Sequence, residues 1–268
     1  MRSRRSFLAQ SLAVASAPAL LGQSRKPSFR VGVIGHTGRG NYGHGLDVVW
    51  NLLKETNIVA VADANAGGLA KAKSKLKTDH AYADYREMLR KEKPDVVAVC
   101  PRHVDQRVPM ITAACEAGAK GIYVEKPFVR SPEEGDRIAE ACAKAGTKLA
   151  VAHRNRYHPV LPVLKKLLAE GLIGDVLELR GRGKEDRRGG GEDLWVLGTH
   201  VFDLFNNLAG KPLTCSAEMR QGGKPVTKEH VYEGNEGLGS LAGDEIHARW
   251  LMANGWTAYF DSVRNRGR

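Results

Sequence analysis

Hydrophobic residues in the first half of this chain gather in short continuous runs, each closed by glycine, proline or a polar residue. FRVGVIG at 29–35, NIVAVAD at 57–63, PDVVAVC at 94–100, GIYVEKP at 121–127 and KLAVAH at 148–153 are such runs. Short, β-branched and apolar on successive positions, they read as strands buried on both faces of a sheet. The segments between them carry the 3.6-residue period of amphipathic helices, at 46–54, in NAGGLAKAKSKL at 65–76, at 106–117 and at 132–145. Strand, helix and strand repeating at this spacing predict a parallel sheet with helices on both faces.

After residue 154 the pattern changes. One more amphipathic helix is predicted at 158–170, and then strand candidates follow with little helix between them: DVLELRG at 175–181, LTCSAEM at 213–219, EIHARWLM at 245–252 and WTAYFDSV at 256–263. They predict a mostly antiparallel sheet, with the glycine-rich stretch 222–244 as a long loop between two of its strands. The expected fold class is therefore α/β, a doubly wound Rossmann sheet over 28–154, followed by an α+β domain with an open, mostly antiparallel sheet over 155–268.

Composition sharpens this picture at a few points. With 268 residues, 42% of them hydrophobic, the chain is long enough to bury one or two cores. SRRSFLA at 3–9, an apolar run at 12–21 too short to span a bilayer, and the small-residue triplets Ala15-Ser16-Ala17 and Ala17-Pro18-Ala19 together resemble a twin-arginine signal. The first 24 residues are expected to be removed, leaving a periplasmic or secreted protein with no stable membrane insertion. The formal net charge is +11 and falls by three, to +8, without Arg2, Arg4 and Arg5. The basic residues form only short clusters with no interleaved aromatics, which argues for a solvated surface and against nucleic acid. Cys100, Cys115, Cys142 and Cys215 have no metal-ligand or redox spacing and are expected as small core residues, with a disulfide unassigned and no metal site.

Two stretches carry candidate chemistry. The loop after the first run, GHTGRG at 35–40, matches the dinucleotide-binding pattern with Gly35 and Gly40 at its outer positions and Thr37 at the middle one. Gly38 keeps the backbone accessible, Arg39 adds charge, and the predicted helix beyond would offer its N-terminal N–H groups to a pyrophosphate. Asp63, at the end of the second strand and 28 residues after Gly35, is placed to accept hydrogen bonds from a ribose diol and to repel a 2′-phosphate. That favours NAD over NADP. The second stretch, LWVLGTHVFD at 194–203, sets His200 in an apolar segment with Asp203 three positions later.

Together with YADYREML at 82–89 and EAGAKGIYVEKP at 116–127, these stretches resemble the Gfo/Idh/MocA oxidoreductases, among them glucose-fructose oxidoreductase and inositol dehydrogenase, from about residue 29 to residue 210. The resemblance implies a nicotinamide covered by the open sheet, with Lys126 of the EKP motif and His200 as the catalytic pair. Glu125 and Pro127 would set the lysine's position, and Pro101 and Glu125 would join Gly35, Thr37, Gly38, Arg39, Gly40, Asp63 and Lys126 around the cofactor. It implies a small sugar or polyol as substrate, Arg156 and Asp203 as substrate-binding candidates, and a homo-oligomer formed through the second sheet. A domain-linking salt bridge is the competing role for Arg156. A hydride leaving a carbinol carbon requires its hydroxyl proton to leave in step, and an imidazole beside a desolvated lysine suits that task.

The chain departs from the family pattern in three places. Val196 stands where relatives have an aspartate one helical turn before the histidine, and Asp105 stands in PRHVD where many have histidine. The sequence also stops at Arg268 where relatives continue for several strands, so it is expected to be either a minimal variant or a fragment. RRGGGEDLW at 187–195 reads as a mobile lip to the pocket. Two other functions remain open at this point: an NAD-dependent glycosidase of the same fold, and a non-catalytic sugar or dinucleotide sensor.

Overall fold

The computed structural model describes residues 29–267; the expected export signal lies outside them. A six-stranded parallel sheet comes first, built from β1 (Phe29–Ile34), β2 (Thr56–Ala62), β3 (His80–Tyr82), β4 (Val96–Val99), β5 (Gly121–Val124) and β6 (Lys148–Val151). Its strand order is β3-β2-β1-β4-β5-β6, the doubly wound arrangement in which the order reverses between β1 and β4. Apolar side chains fill both faces. Val31, Val33, Ile58 and Val61 pack on one side with Leu76; Ile34, Val97, Val99 and Ile122 pack on the other with Ile111 and Ile138. Each is essentially withdrawn from water, and a side chain of this size contributes ~1.5–3 kcal/mol on burial. That is why the runs read as continuous rather than alternating.

The helices begin and end where local chemistry allows. In α1 (Ala66–Leu76) the Asn65 side chain accepts from Gly68 N–H, and α2 (Tyr85–Glu92) is capped by Asp84. After α3 (Arg107–Glu116), α4 (Pro132–Ala145) has Ser131 as its cap, proline in the first turn, and left-handed Gly146 as its stop. One expected helix is missing. Residues 46–54 form turns and a single 3-10 turn, Val49–Leu52. Asn41, Gly43 and Gly45 all adopt positive φ, so the loop after β1 coils through left-handed turns and never nucleates a helix. The helix N-terminus expected to face a pyrophosphate is therefore not there.

Beyond β6, helix α5 (Val160–Ala169) leads to β7 (Glu178–Arg182), and α6 (Thr199–Ala209) precedes the long β8 (Pro212–Gln221) and short β9 (Lys224–Pro225). A small hairpin of β10 (Tyr232–Glu233) and β11 (Ser240–Leu241) stands within the glycine-rich stretch expected as loop. With β12 (Glu245–Met252) and β13 (Thr257–Val263) the second sheet has the order β7-β13-β12-β8-β9. It is mixed: β7 runs parallel to β13, and every other pair is antiparallel. Helix α6 covers one face, where Phe202 lies 5.2 Å from Phe260 and 4.9 Å from Trp250, ring centroid to ring centroid. Gly181 of β7 permits this approach, since a Cβ there would sit 2.2 Å from Val201 Cγ1.

The middle of the segment expected as a mobile lip, residues 189–193, is instead buried. Gly189, Gly190 and Gly191 lie against the backbone of Arg264, of Gly243 with Asp244, and of Ala242, so closely that any side chain would collide. Glu192 and Asp193 follow them into the interior, where Asp193 accepts from Ser262 Oγ at 2.7 Å. Three cysteines are buried as expected, Cys115 and Cys142 with their sulfurs 3.7 Å apart, whereas Cys215 is exposed on β8.

Candidate active site

Two cavities open at the carboxyl ends of the parallel strands, one on each side of the loop that follows β1. The first, of about 420 Å³, is bordered by Gly35, Arg39, Asp63, Asp84, Arg86 and Gln106. The second, of about 520 Å³, is bordered by His44, Glu125, Lys126, Arg154, Lys184 and His200. Ligands of open α/β sheets bind in this crevice, beside the point where the strand order reverses.

Lys126 follows β5 and is held at both ends. Its backbone N–H donates to Glu125 Oε1 at 3.0 Å, and its ammonium donates to the carbonyl of Val196 at 2.9 Å. Glu125 is 1% exposed and is fixed in turn by His44, whose backbone N–H and Nδ1 both reach Oε2, at 2.9 and 3.0 Å. Gly43 makes room for that carboxylate: a Cβ there would lie 2.5 Å from Oε2. Burial lowers the lysine's pKa from its ordinary value, and Glu125 opposes part of the shift.

His200 comes from α6 to the same cavity. Its ring stands edge-on to that of His153, centroids 5.5 Å apart at 86°. Burial first, then Lys126, His153 and Arg154, push its pKa down to about 4, so the imidazole is neutral across the physiological range. Its Nδ1 has no hydrogen-bond partner within the described residues, and neither does Nδ1 of His153.

Arg156 and Asp203, the expected substrate ligands, are turned to each other. The guanidinium Nε donates to Asp203 Oδ1 and Oδ2 at 2.9 and 3.2 Å, and a second nitrogen also reaches Oδ1. This bidentate pair pins the segment after β6 to α6, and it does not touch His200. It is the fold-linking salt bridge that was the competing role for Arg156, and neither residue borders the Lys126–His200 cavity.

Val196 is 4% exposed, packed with Val104, Leu238 and Leu241. Residues Leu194–Gly198 form a π turn, which widens the helix and aims the Val196 carbonyl at the lysine. The contact made to Lys126 from this position is thus backbone, not side chain.

The dinucleotide loop also differs from expectation. Asp63 borders the first cavity but is 1% exposed, and its carboxylate is filled from within the chain. Thr37 N–H approaches both oxygens at 3.1 Å, Thr37 Oγ1 donates to Oδ2 at 2.7 Å, Tyr42 OH donates to Oδ2 at 2.9 Å, and Asn65 N–H donates to Oδ1 at 2.9 Å. Asp63 therefore buckles the loop to the sheet rather than offering lone pairs to a ribose diol, and the Thr37 hydroxyl is likewise spent. Gly40 packs on the backbone of Arg102 and His103, while Gly38 faces open space with φ +86°. Pro101 is buried and borders neither cavity.

Sequence reasoning passed over His44, His153 and Arg154. The signal was in HRNRYHP at 153–159, where the first arginine, not the second, borders the cavity. Among the described residues no cluster of three His, Cys, Asp or Glu side chains could hold a metal, and no helix is long and apolar enough to cross a membrane.

Residues 29–153 match the sequence model of the oxidoreductase family with an NAD-binding Rossmann fold, GFO_IDH_MocA. Levoglucosan dehydrogenase of Pseudarthrobacter phenanthrenivorans is 26% identical over 235 residues, covering 76% of this chain and 58% of its own. Myo-inositol 2-dehydrogenase of Thermotoga maritima is 28% identical over 152 residues, covering 57% of this chain and 44% of its own. The chain thus spans less than two thirds of the length of these relatives. A levoglucosan dehydrogenase structure in complex with NADH and levoglucosan shares the fold at TM-score 0.70 and 24% identity, covering 90% of this chain and 68% of its own.

The residues that could hold NAD are those bordering the two cavities, Gly35, Arg39 and Ala64 at the first and Lys126 and His200 at the second.

Proposed function

We propose that the whole chain is a Gfo/Idh/MocA oxidoreductase that moves hydride between a hydroxyl-bearing carbon of a sugar or polyol and NAD. One observation carries this: a buried lysine and a neutral histidine share one cavity at the switch point of an NAD-binding sheet. When bound, the nicotinamide accepts the hydride. His200, uncharged and bordering the cavity, takes the hydroxyl proton. Lys126, fixed by Glu125 and the Val196 carbonyl, donates a hydrogen bond to the developing alkoxide in a desolvated setting where that bond counts most.

The test is to load the protein with NAD and add sugars and polyols while following the reduced-nicotinamide absorbance. A rise supports the proposal. Release of product from an aryl glycoside without net reduction would point to glycosidase chemistry, and binding with neither signal would point to a sensor.

The export signal belongs to the same proposal. A twin-arginine route carries folded protein, so the chain would leave the cytoplasm with NAD bound, into a compartment without a ready supply of the free cofactor. Such an enzyme must keep its NAD and return the hydride to a second substrate. Protein recovered from the periplasm and denatured should release about one nucleotide per chain by mass spectrometry; an empty, folded protein that works only with added NAD would overturn this part. Self-association through the open face of the second sheet, where Leu251 is exposed, is proposed on the same footing.

A further inference from the structure

The cavity around Lys126 and His200 has more positive charge than its own carboxylates neutralise. Four cations border it: Lys126, Arg154, Arg182 and Lys184. Glu125 is the one carboxylate among the bordering residues, and its oxygens are filled by His44 and by the Lys126 N–H. Arg182 is turned to Glu185 at 2.7 Å and Lys184 to Asp186 at 3.4 Å, so both are partly answered from outside the cavity. Arg154 is not. Among the described residues its guanidinium has no carboxylate within salt-bridge distance, whereas Arg156, two positions on, is paired with Asp203. The neighbouring arginines of one short turn thus divide the work: one locks the fold and the other is left pointing at the cavity, close enough to His200 to depress its basicity.

We infer that the substrate is an acidic sugar, a uronic or aldonic acid, whose carboxylate is bound by Arg154 with Lys184 beside it. This rests on the oxidoreductase reading and narrows it. A neutral polyol offers the planar five-donor guanidinium only uncharged hydroxyl oxygens, while a carboxylate matches both its charge and its fork. The inference also explains a difficulty in the catalytic reading. The groups around His200 are Lys126 and Glu125 after β5, His153 and Arg154 after β6, Lys184 after β7, and Asp203 on its own helix, closed by Arg156 of the turn after β6. Their sum is positive and keeps His200 a weak base. A substrate carboxylate seated on Arg154 cancels part of that field, so the base strengthens when the correct substrate arrives.

The experiment is isothermal titration of the NAD-loaded chain with D-glucuronate, D-gluconate, D-glucose, myo-inositol and glucose 6-phosphate, for the natural protein, Arg154→Gln and Arg154→Lys. At least one sugar acid should bind tenfold or more tighter than the neutral sugars, Arg154→Gln should remove that advantage, and Arg154→Lys should keep part of it. In turnover with the acid, the acid limb of kcat should lie at higher pH than that of kcat/KM, since the first reports the complex and the second the free enzyme. Equal binding of neutral and acidic sugars, or an acid preference untouched by Arg154→Gln, would overturn the inference. Preference for glucose 6-phosphate over both acids would overturn the carboxylate in favour of a phosphate. If no compound reduces NAD, the oxidoreductase reading falls, and the titration still decides whether Arg154 selects acids.

Discussion

The ammonium of Lys126 hydrogen-bonds the backbone carbonyl of Val196, 70 positions away in the chain, at 2.9 Å. The bond joins the end of the parallel sheet to the turn that opens α6, and it puts lysine and His200 on one cavity. Lys126→Met should keep NAD affinity within a few-fold while cutting hydride transfer by about 10²-fold or more, the usual loss for a positioned proton-handling group. Stopped-flow reduction of bound NAD would measure it, and unchanged turnover would leave Lys126 a purely structural residue.

Val196→Asp tests the substitution from the family pattern. The side chain points into a cluster with Val104, Leu238 and Leu241, so the new carboxylate would be buried without a partner. We expect a loss of about 3 kcal/mol in denaturant unfolding and no gain in rate. A faster enzyme of undiminished stability would show that the aspartate can reach His200 after all.

Asp63 holds the loop that borders the cofactor. Because its oxygens bind Thr37, Tyr42 and Asn65, Asp63→Ala should weaken NAD and NADP together by loosening the loop. Tyr42→Phe, which removes one hydrogen bond to a charged acceptor, should destabilise the fold by about 1.5–3 kcal/mol. A selective loss of NAD with NADP unaffected would restore the direct ribose contact expected from sequence.

Arg156 and Asp203 should couple. Their double-mutant cycle is expected to give about 1 kcal/mol, reduced because the arginine is part exposed. KM for the sugar should not respond to Arg156→Gln beyond what the lost stability explains. A tenfold rise in KM with stability intact would return Arg156 to the substrate.

His247 lies between Asp261 and Glu245, at 2.6 and 2.8 Å, and its pKa is raised by those hydrogen bonds. A raised folded pKa stabilises fully below the unfolded value of about 6.5 and is lost as pH rises through the folded one. The lowered values of His200 and His153 act oppositely, removing stability as pH falls below about 6.5, so they do not contribute above it. Thermal melts should therefore show Tm dropping from pH 6.5 upward, and the drop should shrink in His247→Gln. Identical slopes in both proteins would contradict the ion-pair account.

Five of the six strands of the parallel sheet, the helices α1, α3 and α4, and the candidacy of Lys126 and His200 were legible in the chain itself; β3 (His80–Tyr82) and α2 (Tyr85–Glu92), too short to show a clear period, were not. Buried strands need unbroken apolar runs, helices need a 3.6-residue stripe and caps such as Ser131 and Gly146, and those requirements are local. Which way a side chain faces was not local. Arg154 and Arg156 are chemically identical in a short turn, and only the position of Asp203 on α6 decides that the second is consumed and the first is free. Asp63 reads as a ribose ligand until Tyr42 and Thr37 are seen to fill its lone pairs, a result of a loop whose glycines coil it back on the strand. The aspartate absent at Val196 reads as a lost function, yet the contact to Lys126 there comes from a carbonyl, which every residue type possesses and no sequence pattern displays.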